Sequence, residues 1–152
     1  MASVPHDDID ILAKAKRALD RDYAPGDNEE YMSPKQLNYF RILLLEWKKS
    51  ILSAAEGTLQ LLQDGPIREP DLNDRASSET DWGIELRTRD RQRKLIAKID
   101  AALHRIEDGT YGYCEETGEP IALKRLDARP IATLSIEAQE RHERREKVYR
   151  DD

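Results

Sequence analysis

SPKQLNYFRILLLEWKKSILSAAEGTLQLLQDGP, residues 33–66, is the stretch that decides the fold. Leu37, Phe40, Leu44, Trp47, Ile51, Ala54, Thr58 and Leu61 follow one another in alternating steps of three and four. That rhythm is the seam of a coiled coil. Ser33 suits the N-cap, Pro34 the first helical position, and Gln36 completes a capping box. Gly65-Pro66 ends the pattern. A second helix is predicted from near Asp71 or Asp74 to Asp108, with Gly109 as its stop. Ile96, Ile99, Leu103 and Ile106 repeat the same rhythm there, while Arg89 and Gln92 stand where a dry seam calls for apolar residues. Residues 33–108 therefore read as an antiparallel coiled-coil hairpin with its tip near 64–76. At about 1.5 Å per residue its arms are about 45–55 Å long. Such a rod projects from any domain this small, and places function at its tip and along its shaft.

Outward from the hairpin, residues 1–32 form an N-terminal segment packed on the globular end. Within it, 9–22 suits a short amphipathic helix with Ile9, Leu12, Lys16 and Leu19 on one side, followed by a linker at 24–28. Residues 109–138 are turn-rich, with 121–126 read as a short strand or extended arm and 127–133 as irregular. The C-terminal helix covers 139–152, and its helical pattern reaches back to Ser135 as a candidate cap. The fold class is mainly α: a long hairpin, a small globular end and a final helix.

The chain has 152 residues, 37% of them charged and 6% aromatic, which suits a thin rod better than a thick core. Its formal net charge of -6 argues against direct sequence-specific DNA binding. Positive charge is concentrated at Arg87, Arg89, Arg91, Arg93 and Lys94. There is no apolar run of transmembrane length and no signal-peptide pattern at the start. A single cysteine, Cys114, excludes an internal disulfide, so cytoplasmic residence is expected.

Residues 111–138 have the outline of a small zinc module with two C-x-x-C pairs. Cys114 opens the first pair, but Thr117, Ser135 and Ala138 occupy the other three positions. The histidines at 6, 104 and 142 are not spaced to replace them. The expectation is a zinc-less module held by packing, with no bound metal. Its apolar candidates are Tyr111, Tyr113, Ile121, Leu126, Ile131, Leu134, Ile136 and Ala138.

These features occur together with Glu30-Tyr31-Met32, Asp71-x-x-Asp74-Arg75-Ala76, and Glu85-Leu86-Arg87-x-Arg89-Asp90-Arg91-x-Arg93-Lys94-Leu95-Ile96. Tyr111-Gly112-Tyr113-Cys114-Glu115 and Arg125-Leu126-Asp127-Ala128-Arg129-Pro130 follow. In that order they make the chain resemble the DksA (DnaK suppressor) family of bacterial RNA polymerase-binding transcription factors, in its zinc-less, single-cysteine branch. The resemblance implies a monomeric regulator, not an enzyme, that inserts its coiled coil into the secondary channel of RNA polymerase. It implies action with the alarmone ppGpp in the stringent response, repressing stable-RNA promoters and activating some biosynthetic ones. Carried over by position, Asp71, Asp74 and Ala76 form the tip, and Arg87 and Arg91 contact polymerase along the shaft. Leu95, Lys98, Arg125 and Arg129 correspond to the ppGpp site. The family's usual lysine is replaced here by Gln139, with Arg141 as a candidate substitute.

Each sign also has a plainer reading. Asp71 and Asp74 suit helix capping, and the arginine run suits a solvated face with i,i+4 ion pairs. A structural or adaptor coiled coil, and a Gre-like transcript-cleavage factor with metal-holding tip carboxylates, are the alternative functions.

Overall fold

The computed structural model describes residues 6–17, 19, 23–64 and 72–151, with side chains over 11–17, 19, 23–56 and 79–148. The helices are α1 (His6–Arg17), α2 (Pro34–Asp64), α3 (Leu72–Asp108), α4 (Leu123–Ala128) and α5 (Ile136–Asp151). Among the described residues, β pairing is limited to one antiparallel bridge, Tyr113–Pro120.

α2 starts where its side chains supply the missing hydrogen bonds. Ser33 Oγ accepts from the Gln36 N–H at 3.2 Å, and Gln36 Oε1 accepts from the Met32 N–H at 2.8 Å. The return bond thus reaches one residue beyond the N-cap. Gln36 is fully buried, and its amide also donates to the Gly26 carbonyl at 3.2 Å, tying the linker to the helix start. α3 ends in a Schellman motif. Gly109, at φ +80°, donates to the Ile106 carbonyl at 3.4 Å, and Thr110 donates to that of Arg105 at 3.0 Å.

The pairing of α2 with α3 follows the seam over its proximal half. Phe40, Leu43, Leu44, Trp47 and Ile51 are at most 3% exposed, as are Ile99 and Ala102 of α3. Leu37, Leu95, Ile96, Leu103 and Ile106 pack partly buried around them. An ion pair from Lys48 Nζ to Asp100 Oδ1, at 2.7 Å, links the two helices across the seam. Beyond it the seam thins. Ala54 is exposed, and the side chains of Thr58 and Leu61 lie outside the described residues. Gln92 is buried with Oε1 unbonded among the described residues, whereas Arg89 is exposed. A buried amide with an unused acceptor weakens packing at that level of the shaft.

The base of the rod is built from both ends of the chain. Leu12 and Ala15 of α1 are buried with the α2 residues in one core, together with Tyr111, Cys114, Ile121, Leu126, Ile131, Ala132 and Ala138. Asp127 of α4 holds two other helices at once. Lys16 of α1 donates to it at 3.2 Å and the Tyr39 hydroxyl of α2 at 2.8 Å. This corrects the expected short strand or extended arm at 121–126. Residues 123–128 are a helix, because one turn buries Leu126 while presenting Asp127 to Lys16 and Tyr39. α1 spans His6–Arg17, starting three residues before the expected 9, while the expected end at 20–22 lies outside the described residues. α5 begins at Ile136, so the boundary set at 139 falls inside the helix.

Gly112 is the tightest point of this base. Its φ is +90°, and an added Cβ would lie 2.8 Å from Met32 Cε and 2.9 Å from the Tyr31 hydroxyl. That hydroxyl sits 2.6 Å from the carbonyl oxygens of both Gly112 and Ile121, sharing its proton between them. Gly112→Ala combines backbone strain with overpacking and is expected to destabilise the fold by about 3 kcal/mol or more. Gly109→Ala, with nothing within 4 Å of its Cβ, is expected to cost only about 1–2 kcal/mol. Urea unfolding of the two variants measures the difference.

Candidate functional site

The residues assigned by position to an effector site come from separate elements. Lys98 projects from α3, Arg125 and Arg129 from α4 and the turn after it. The structure brings these three to one cavity of about 250 Å³, also lined by Ala101, Arg105, Ile131 and Gln139. Leu95 does not line it; that side chain packs half-buried against the core. Among the described residues, no carboxylate lines the cavity. In a chain of net charge -6, four cations without an acid mark a local reversal of sign. Arg125 is held by its Nε–H, which donates to the Leu134 carbonyl at 2.8 Å. Gln139 donates its amide to Glu143 at 3.4 Å. Arg141 does not line the cavity; its guanidinium lies 3.6 Å from Glu116.

Arg105 was not singled out in the sequence. The signal was present nonetheless, since Lys98, Ala101 and Arg105 are spaced i, i+3, i+7 on one helical face. A small residue between two long cations leaves a hollow.

Along the shaft the basic run divides in two. Asp90 binds Arg93 at 2.8 Å and Lys94 at 3.0 Å, and these pairs hold its carboxyl below the usual range, Lys94 contributing most. They are exposed intrahelical pairs of small energetic weight. Arg87 is exposed and forms no ion pair with a described residue, while Arg91 is half-buried. Ile42, Leu45, Leu52, Ile84 and Leu86 add exposed aliphatic surface to the same rod. At the far end, Asp74 and Ala76 lie in the α3 backbone near its start, with side chains outside the described set; Asp71 lies outside the described residues altogether.

The turn-rich module has the four positions of a metal knuckle, but their chemistry does not fit zinc. Ser135 Oγ caps α5 by accepting from the Ala138 N–H at 3.2 Å, and Thr117 Oγ1 accepts from the Glu119 N–H at 3.2 Å. Ala138 is fully buried and carries no donor atom. No group of three or more His, Cys, Asp or Glu converges among the described residues. Cys114 is buried as a free thiol. Burial pushes this thiol up, but several donors outweigh it: the Ser135 N–H, the Thr117 hydroxyl and the N–H groups of Thr117 and Glu116. Together they bring it down to about 6. The backbone closes the knuckle unaided, Cys114 N–H to Glu119 carbonyl at 2.8 Å and Gly118 N–H to Cys114 carbonyl at 2.9 Å. Glu116 joins the knuckle to α5 by binding His142 and Arg141. That clamp spans 26 residues and no local pattern signals it. Of the apolar residues assigned to hold the module, Tyr113 and Ile136 are instead exposed, at 39% and 48%. Tyr113 packs its edge on Tyr31, 5.6 Å between ring centroids.

The comparisons match these parts. The description "DnaK suppressor protein DksA, N-terminal domain" matches residues 36–106, and "Prokaryotic dksA/traR C4-type zinc finger" matches 109–144. A Caulobacter vibrioides protein named "RNA polymerase-binding transcription factor DksA" is 63% identical over 131 residues, 86% of this chain and 92% of that protein. An Escherichia coli K12 protein of the same name is 42% identical over 125 residues, 82% of this chain and 83% of its own length. The solved structure of transcription factor DksA2 from Pseudomonas aeruginosa aligns with a TM-score of 0.71 and 42% identity. It covers 91% of this chain and 98% of that one. From hairpin to knuckle, the chain belongs to the DksA family, with one cysteine left at the four metal-ligand positions of its module.

Proposed function

We propose that this protein is a transcription regulator that binds RNA polymerase and inserts the α2–α3 rod into its secondary channel. It acts with ppGpp in the stringent response, repressing stable-RNA promoters and activating some biosynthetic ones. It works in the cytoplasm as a monomer, with no sequence-specific DNA contact and no enzymatic activity of its own. The observation that carries this reading is the rod itself, helices of 31 and 37 residues, in a chain of this family. A two-helix rod is slender enough for a channel and exposes apolar and basic side chains along its length. Asp71, Asp74 and Ala76 form its tip, Arg87 and Arg91 meet acidic groups on the channel rim, and the basic cavity at the base receives the phosphates.

The test is in vitro transcription from a ribosomal RNA promoter with purified polymerase, with and without ppGpp. The protein is expected to shorten the open-complex lifetime and lower transcript yield, more so with ppGpp. Unchanged lifetime and yield would sink the proposal, and release of short RNAs from backtracked complexes would favour transcript cleavage instead.

The module works without zinc in this reading, and its stability depends on pH instead of metal. Purified protein should hold well under one equivalent of zinc, and a chelator should leave the melting temperature unchanged. The folded Cys114 thiol titrates below its unfolded value. The stability it contributes is therefore present above the unfolded thiol range and is lost as pH falls through about 6. The gap between the melting temperatures of the natural protein and Cys114→Ala should narrow as pH falls through that value, leaving only the packing difference of a buried side chain. Stoichiometric zinc, or a gap that does not change with pH, would contradict this account.

A further inference from the structure

α2 carries a second seam on the side turned away from α3. Asn38, Ile42, Leu45, Lys49, Leu52 and Glu56 follow one another in alternating steps of four and three. All six are exposed, with Ile42, Leu45 and Leu52 open by 37%, 45% and 49%. The seam of the same helix that faces α3 is buried at Phe40, Leu44, Trp47 and Ile51. Large aliphatic residues at seam spacing on a solvated face make a continuous stripe, and its period fits a further helix. Lys49 and Glu56, the two charged members of the stripe, form no ion pair with any described residue.

The order of the charges selects the occupant. A second copy laid parallel would stack Lys49 on Lys49 and Glu56 on Glu56. Laid antiparallel, with Lys49 opposite Leu52 of the second copy and Leu45 opposite its Glu56, the stripe is self-complementary. Leu45, Leu52 of the second copy, Leu52 and Leu45 of the second copy then occupy successive layers as one zigzag of leucines. Ile42 extends it outward at each end. Lys49 lies one layer from Glu56 of the second copy, about 6 Å along the axis and within reach of its long side chain. The two-fold axis repeats that ion pair. Sliding the copies by one heptad instead sets Glu46 opposite Glu46 and Lys48 opposite Lys48, so like charges oppose that register.

We propose that the outer face of α2 is a self-association surface, through which two copies of the free protein pair antiparallel. The interface is isologous, each copy offering Ile42, Leu45, Lys49, Leu52 and Glu56 to the same residues of the other. Pairing leaves the hairpin intact, because α3 packs on the opposite side of α2. The inference stands on the α2 face alone and needs no part of the polymerase reading. Taken with that reading, it makes the dimer a resting form. One rod suits a channel and two rods side by side do not, so pairing and channel entry exclude each other.

Sedimentation velocity of the full chain over a rising concentration series is the test. The natural protein is expected to shift reversibly from one copy to two. Leu45→Gln should weaken association by about tenfold or more, since the symmetry makes every substitution act twice. Its melting temperature at dilution, where single copies prevail, should not fall, because Leu45 is exposed. Glu56→Lys should weaken the dimer by about fivefold. Adding Lys49→Glu to it should restore association, because the exchange reverses the sign of each pair and keeps the face. A protein that stays a single copy at every concentration overturns the proposal. A dimer that Leu45→Gln leaves unchanged is built on another surface and overturns it equally. A dimer broken by Leu45→Gln that the charge exchange does not restore overturns the antiparallel register. If the protein stays single while Leu45→Gln lowers polymerase affinity, the face belongs to polymerase, so the pairing falls and the polymerase reading stands.

Discussion

Asp74→Asn is expected to remove the transcriptional effect while leaving polymerase affinity within about twofold of the natural protein. The reasoning starts from position. α3 begins at Leu72, so Asp74 lies in the first helical turn at the end of the rod away from the base. A carboxylate there has a structural role available, as it complements the positive end of the helix dipole by about 0.3–1 kcal/mol. Asparagine keeps the size and most of the hydrogen-bonding capacity and removes only the charge. Loss of a cap alone would therefore show as slight fraying of the tip, with regulation preserved. The proposed mechanism demands the opposite division. In that mechanism the binding surface is spread along the shaft, at Arg87, Arg91 and the exposed aliphatic residues, so one distal charge contributes little to affinity. On the same proposal, that charge is the group that would reach the catalytic region of polymerase, where magnesium and basic loops would respond to it. Asp71→Asn should act in the same direction and more mildly. Paired measurements of affinity and promoter output decide the matter, and normal regulation by both variants would reduce the tip to a cap.

The parts of this fold that were legible in the sequence are those fixed by local chemistry. Ser33 and Gln36 cap α2, Gly109 closes α3 and Ser135 caps α5, each within four residues of its partner. The seam at Phe40, Leu44, Trp47 and Ile51 was equally plain, since a sustained three–four alternation has one physical meaning. What escaped was set by tertiary contact. The six residues of α4 are too few to display a period, and Asp127 holds that turn through Lys16 and Tyr39, 111 and 88 positions away. The assignment of Arg141 to the cavity failed for a similar reason. Glu116 competes for it from the knuckle, together with His142. At the site itself, Lys98, Arg125 and Arg129 were found by resemblance, and their convergence could not be read from spacing. Arg105 needed the cavity to be seen at all.

The double variant Lys98→Ala, Arg129→Ala is expected to abolish the response to ppGpp while keeping the protein's own effect on the promoter. Lys98 comes from α3 and Arg129 from the turn after α4, so the pair removes charge from two walls of the cavity. A hydrogen bond to a charged phosphate contributes about 1.5–3 kcal/mol. The two losses share one ligand and are not strictly additive, yet together they should weaken ppGpp by about 100-fold or more. The fold should tolerate the change. Lys98 is exposed and Arg129 half-buried, and neither side chain bonds to a described residue, so no buried partner is left uncompensated. Arg125 is a poorer choice for this test, because its Nε–H holds the Leu134 carbonyl and its removal would disturb the cavity wall. The plainer view, in which these cations serve only solubility, predicts normal ppGpp synergy in the double variant. It also predicts no change in salt dependence. Loss of two phosphate contacts should instead flatten the fall of ppGpp affinity with salt, since screening acts on charges that are no longer there. A transcription assay with and without ppGpp at two ionic strengths separates these outcomes in one series.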